Sequence, residues 1–213
     1  MATYDLEEQE QLAELKAWWK ENGTLVTTVL SVALIAFSAW HGWNYYQRNQ
    51  AAQASALYDV VQKAARANDL KQVRESAGTI LEQFPRTTYA AMAALVSAKA
   101  HFQGGDLKTA RAQLAWVGEN AKDEALRDIA QLRLASVMLD EKDYDNALKA
   151  LDAKHGGAFD AQFLSAKADV LIMQGKKDEA RNTYKAALEK ADIKDAGLRA
   201  SVQLRLDALG TAK

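Results

Sequence analysis

Residues 98–117 read AKAHFQGGDLKTARAQLAWV. The break Gly104-Gly105-Asp106 separates two stretches of helix-forming composition. Ala98 lies before the break and Ala110 after it, each small enough to let two antiparallel helices touch; Leu107, Leu114 and Val117 supply bulk beside them. The stretch therefore reads as a helical hairpin. It recurs. Ala135, Glu141-Lys142-Asp143-Tyr144, Ala147 and Leu151 repeat it, and so do Ala168, Gly175-Lys176-Lys177, Ala180, Tyr184, Ala187 and Leu188. Ala110, Ala147 and Ala180 stand 37 and 33 residues apart. A weaker copy comes first: Leu57, Val61, Ala64, Asn68-Asp69-Leu70, Val73, Ala77, Ile80-Leu81 and Pro85, with Val73 37 residues before Ala110.

The series resembles the tetratricopeptide repeat, whose frame has a small residue at position 8, Gly near 15, a bulky residue at 17, Ala at 20, an aromatic or Leu at 24 and Ala at 27. The first full repeat fits with Ala98, Gly105, Leu107, Ala110 and Leu114. Lys142 at position 15 and Lys177 at position 17 depart from it, and Pro85 is the sole proline. Stacked hairpins bury a continuous core that no single hairpin could. Leu198, Val202, Leu206 and Leu209 form one stripe of a final helix that would cap the stack, ended by Gly210. The expected fold is all-α: a single N-terminal transmembrane helix followed by a tetratricopeptide-repeat-like solenoid.

The membrane segment rests on a charge gap. Residues 22–47 carry no formal charge with His41 neutral; the next longest such run is 87–98. Its inner part, TLVTTVLSVALIAFSAW at 24–40, is rich in Leu, Val, Ile, Ala and Phe. Trp18 and Trp19 precede it, and Trp40, Trp43, Tyr45 and Tyr46 follow, so a helix from Trp19 to Trp43 would span about 36 Å. Nothing else in the chain is long enough to wrap such a helix in a soluble core. Ala52-Gln53-Ala54 and Ala54-Ser55-Ala56 look like signal-peptidase sites, but the preceding region is long and acidic, so the span reads as an uncleaved anchor. Lys16 and Lys20 before it, against Arg48 after it, favour an inside N-terminus by one charge. The expected division is a cytoplasmic tail at 1–22, a transmembrane helix at 23–46, and an outer domain at 47–213 ending in the capping helix. Since Tyr46 to Asn68 holds neither Gly nor Pro, one helix should run from the span into the first repeat. Asn22-Gly23-Thr24, a glycosylation sequon, lies on the inner side and reads as chance.

Charge and chemistry bound the function. The net charge is −1, yet residues 1–21 hold six acids against two lysines. No nucleic acid is implied. The absence of Cys removes thiolate nucleophiles, disulfides and thiolate metal sites. His41, His101 and His155 lack a second ligand at metal spacing, and no phosphate loop, dinucleotide fingerprint or nucleophile elbow is present. His101 reads as a packing residue, and Asp140-Glu141 and Asp178-Glu179 as solvated caps. An enzyme is not expected, nor a cofactor or metal.

Binding is what remains. Positions 2, 5, 9, 12 and 13 of each first helix would line a concave wall: Met92, Leu95, Lys99, Phe102 and Gln103; Ile129, Leu132, Ser136, Leu139 and Asp140; Gln162, Ser165, Asp169, Ile172 and Met173. One Lys and no Arg or Asn in this set argue against a clamp for a terminal carboxylate. The apolar members Met92, Leu95, Phe102, Ile129, Leu132, Leu139, Ile172 and Met173 suit a partner helix or an unfolded apolar segment. Packing against neighbouring repeats or the last helix would use the same side chains.

The block Leu15-Lys16-Ala17-Trp18-Trp19-Lys20-Glu21-Asn22-Gly23, then the span, then Gly42-Trp43-Asn44-Tyr45-Tyr46-Gln47 and a four-repeat domain, resembles the YfgM family of Gram-negative inner-membrane proteins. The resemblance implies an ancillary subunit of the SecYEG translocon with a periplasmic domain. It implies association with a membrane-anchored periplasmic prolyl-isomerase-type chaperone, and help in handing newly translocated, unfolded secretory clients to chaperones. A regulatory role of the cytoplasmic tail in envelope stress is implied too. A scaffold for an envelope complex, or a signalling anchor, are the alternatives.

Overall fold

The computed structural model describes residues 2–210, and side chains from Glu8 onward except Gln9. Met1 and residues 211–213, at the ends of the expected tail and outer domain, lie outside the described residues; so do the side chains of Asp5 and Glu7 in the acidic tail. The described residues are helical, with no strand among them. The chain divides into two units, Met1–Asn49 and Gln50–Lys213.

The first unit is helix α1 (Ala2–Arg66) up to residue 49. The apolar stretch expected at 23–46 is long and apolar enough to cross a membrane once. Leu25, Leu30, Leu34, Ile35 and Phe37 are all exposed, so the reading as a buried core helix fails. Thr27 and Thr28 turn their hydroxyls back onto the carbonyls of Gly23 and Thr24, at 2.8 and 2.7 Å. This satisfies two polar groups that lipid would otherwise leave without a partner.

The second unit stacks hairpins. The end of α1 pairs with α2 (Leu70–Gln83), α3 (Thr88–Gln103) with α4 (Leu107–Asn120), α5 (Glu124–Asp140) with α6 (Tyr144–Leu151), and α7 (Asp160–Met173) with α8 (Lys177–Lys190); α9 (Ala196–Ala208) closes the series. A short 3₁₀ turn, Gly157–Phe159, leads into α7. Val61, Ala98, Ala135 and Ala168 on the first helices are at most 2% exposed, and Val73, Ala110, Ala147 and Ala180 on the second are at 0%. Small side chains thus sit where the helices of each hairpin touch, as the repeat pattern requires.

Each hairpin turns through one left-handed residue: Asn68, Gly105, Lys142 and Gly175 have φ of 56°, 80°, 62° and 80°. Lys142, which departs from the glycine pattern, still makes the turn. A non-glycine residue there carries a local strain of about 1 kcal/mol, which the buried contacts on either side of the turn outweigh. At Gly104 the constraint is spatial, because a Cβ would come within 2.6 Å of Leu70 Cδ1 from the preceding hairpin.

A second device repeats with the turns. Asp69, Asp106 and Asp143 are the N-caps of α2, α4 and α6. Arg74 of α2 reaches Asp106 at 2.8 Å, and Arg111 of α4 reaches Asp143 at 3.1 Å and Glu141 at 2.7 Å. An arginine five residues into one second helix thereby clips the start of the next. The clip lapses at the third joint, where Leu148 and Lys176 occupy the two positions. It returns in altered form at the end: Arg181 of α8 donates to the carbonyls of Leu209 and Gly210, both at 3.3 Å, and ion-pairs with Asp178 at 2.6 Å. Glu141 and Asp178 are exposed, as expected of solvated caps, with the Asp178 side chain 91% accessible, and each also pairs with an arginine.

Candidate functional site

The expected wall residues fall into two groups. Leu95 is buried, and Met92, Ile129, Leu132, Leu139 and Ile172 are half-buried, packed against the clusters that join successive hairpins. Phe102 and Met173 are free, at 37% and 55% exposure. The structure therefore assigns six of the eight to inter-repeat packing and leaves two large apolar side chains open.

In the fourth hairpin the chain itself covers Ser165, Asp169 and Ile172 of the wall. Leu198, Leu206 and Leu209, on α9 and just past its end, pack on the same cluster as Ile172, with Val202 at 0% exposure in its middle. Arg205 Nη1 of α9 donates to Asp169 Oδ2 at 2.5 Å and to Ser165 Oγ at 3.4 Å. The Tyr184 hydroxyl donates to the other oxygen of Asp169 at 2.5 Å. Burial, and then the Asp169 carboxylate, push the Tyr184 hydroxyl above the ordinary tyrosine range, so it stays a donor. Asp169 and Ser165 thus hold the cap.

The first three hairpins keep their wall open. Between α3 and α5 lies a depression of about 280 Å³ floored by Ala98, Phe102, Leu114 and Val137, with Lys99, Arg133 and Ser136 around it. A second, about 300 Å³, lies between the end of α1 and α3; Gln62, Arg66, Lys99 and Gln103 line it with Ala65, Val96 and Ala100. Arg66, Arg133 and Gln62 were not among the expected wall residues. Arg133 lies three residues before Ser136 on the same helical face, and that spacing is the signal that could have found it.

The histidines do not form a site. His101 is 1% exposed, as a packing residue should be, and neither ring nitrogen has a hydrogen-bond partner. Its Nδ1 stands 3.4 Å from Asp106 Oδ2, the oxygen that Arg74 holds. Burial, and then the Arg74 charge, keep the imidazole pKa below its ordinary value against the opposing pull of Asp106. The neutral ring therefore stabilises the fold fully above pH about 6.5, and this is lost as pH falls through the lower folded-state value. The melting temperature should drop on acidification from about pH 7 to 5, and His101→Gln should flatten that limb. An unchanged limb in the variant would place the acid sensitivity elsewhere. His155 stacks on Phe163, centroids 3.8 Å apart, beside the turn that buried Asp128 pins through the Gly156 amide at 3.0 Å.

Comparison with known proteins places this arrangement. Residues 16–211 match the family described as a tetratricopeptide repeat-like domain. A Neisseria gonorrhoeae protein named as an ancillary SecYEG translocon subunit is similar at 32% identity over 208 residues, 96% of this chain and 98% of that protein. The chain belongs to the YfgM family of ancillary SecYEG translocon subunits. A family relative with the same name from Haemophilus influenzae is 32% identical, covering 86% of this chain and 90% of its own. One from Escherichia coli is 28% identical across 95% and 96%. The family match, and the likeness to the Neisseria gonorrhoeae and Escherichia coli YfgM-family proteins, take in the apolar helix as well as the stacked hairpins.

Proposed function

We propose that the protein is an ancillary subunit of the SecYEG translocon that acts by protein–protein binding, without catalysis. In this reading α1 holds it in the inner membrane with residues 1–22 cytoplasmic, residues 23–46 in the bilayer and residues 47–213 periplasmic. The periplasmic hairpins link the channel exit to chaperones, among them a membrane-anchored prolyl-isomerase-type chaperone, and assist handover of newly translocated proteins. The observation that carries the reading is likeness to named translocon subunits over nearly the whole chain, membrane helix included. A tether beside the channel raises the effective concentration of an otherwise weak binding surface.

Purification in mild detergent should bring SecYEG components down with the chain; their complete absence would refute the assignment. Phe102→Glu with Met173→Glu replaces the two free apolar side chains of the wall without touching the core. Partner binding should fall by about tenfold while helicity is kept, and unaltered binding would remove the wall from the partner surface.

A further inference from the structure

We propose that the inner wall of the first three hairpins is a groove for a partner segment that carries carboxylates interspersed with apolar side chains, read by Arg66, Lys99 and Arg133. The inference rests on the reading of this wall as the partner surface, and adds the partner's chemistry.

Lys99 stands between the two depressions and lines both. Arg66 borders the first and Arg133 the second. No carboxylate lines either one. Elsewhere in this unit some cations are paired, as Arg74 is with Asp106 and Arg111 with Asp143, and others, such as the exposed Lys149, are not; what marks Arg66, Lys99 and Arg133 is that they border two adjoining apolar depressions. Among the described residues, Arg66, Lys99 and Arg133 make no ion pair. Asp140 lies further along α5, outside the lining.

Three unpaired cations around apolar floors that include Phe102 and Val137 are complementary to acidic groups set beside apolar ones. The geometry adds a spacing. Packed helices lie about 8–10 Å apart, and an extended chain rises about 3.3 Å per residue. A segment crossing the wall would therefore meet a new helix, and a new cation, about every third residue.

The test uses the full chain in phosphatidylcholine nanodiscs and a labelled synthetic peptide with glutamate at every third position and leucine or serine between. The glutamate peptide should bind, more weakly at high salt, and a twin with lysine at those positions should not. Lys99→Glu with Arg133→Glu, both on exposed residues, should lower the affinity about tenfold or more. Lys149→Glu, on exposed α6 surface, should leave it unchanged. Equal binding of the two peptides overturns the proposal, as does an unaltered double variant. So does binding of phosphatidylglycerol vesicles through Lys99 and Arg133 in place of the peptide. Co-purification of SecYEG with the wild type and the double variant separates the two levels: peptide discrimination can fail while SecYEG still co-purifies, and SecYEG can be absent while peptide discrimination holds.

Discussion

Tyr184→Ala is expected to destabilise the chain by roughly 3–5 kcal/mol. Tyr184 is fully buried, the largest such side chain, and packs among Ala168, Ala180, Ala187 and Val202. The cluster joins Ala168, Ala180 and Ala187 to Leu171, Val202 and the flanking leucines; the alanines cannot refill the space and the larger side chains can relax into it only in part, so a cavity should remain. The substitution also takes a donor from Asp169 where α9 is held. Because each hairpin touches only its neighbours, the damage should concentrate at α7 to α9. Thermal melting of the full chain in detergent measures the total, and amide exchange should show α9 opening first. Tyr184→Phe keeps the ring and leaves Asp169 with Arg205, so about 1 kcal/mol should be lost. A Tyr184→Ala protein within 1 kcal/mol of wild type would mean that the last hairpin does not depend on this packing.

Leu30→Arg combined with Leu34→Arg should abolish membrane retention. Both lie near the middle of the apolar stretch, four residues apart and therefore on one face, and both are exposed. Exchanging a leucine for an arginine at the centre of a span costs about 3 kcal/mol in insertion, hence about 6 for the pair. Alkaline carbonate extraction should move the double variant from pellet to supernatant, while Leu30→Ala stays in the pellet. Full retention of the double arginine variant would argue against this stretch crossing the bilayer.

The repeat is legible because packing writes it directly into residue size. Where two helices touch, only a small side chain fits, so Ala98, Ala110, Ala135 and Ala147 recur at intervals that any reader can count. Lys142 shows the opposite. The turn it makes is imposed by contacts on both sides, and a residue that pattern alone disfavours can hold it. The wall was less legible. Helical spacing says which side of α7 Ile172 faces, but not that α9 returns to cover it. Arg66 and Arg133 reach the wall from positions a repeat frame does not mark. The arginine clips were not read from the sequence, because their meaning needs the knowledge that an N-cap lies beside the preceding second helix.

Those clips bear on how such a chain can change length. Arg74 and Arg111 are 37 residues apart, and so are Asp69, Asp106 and Asp143. Adding one residue within a helix would turn the rest of that helix by about 100° and carry an arginine away from its aspartate. Inserting a whole 37-residue module would keep donor and acceptor in register. Growth of this architecture is therefore favoured in whole modules, the unit of gain or loss set by the core and echoed by the ion pair, and the lapse at Leu148 and Lys176 marks the joint where a module of another length could be admitted.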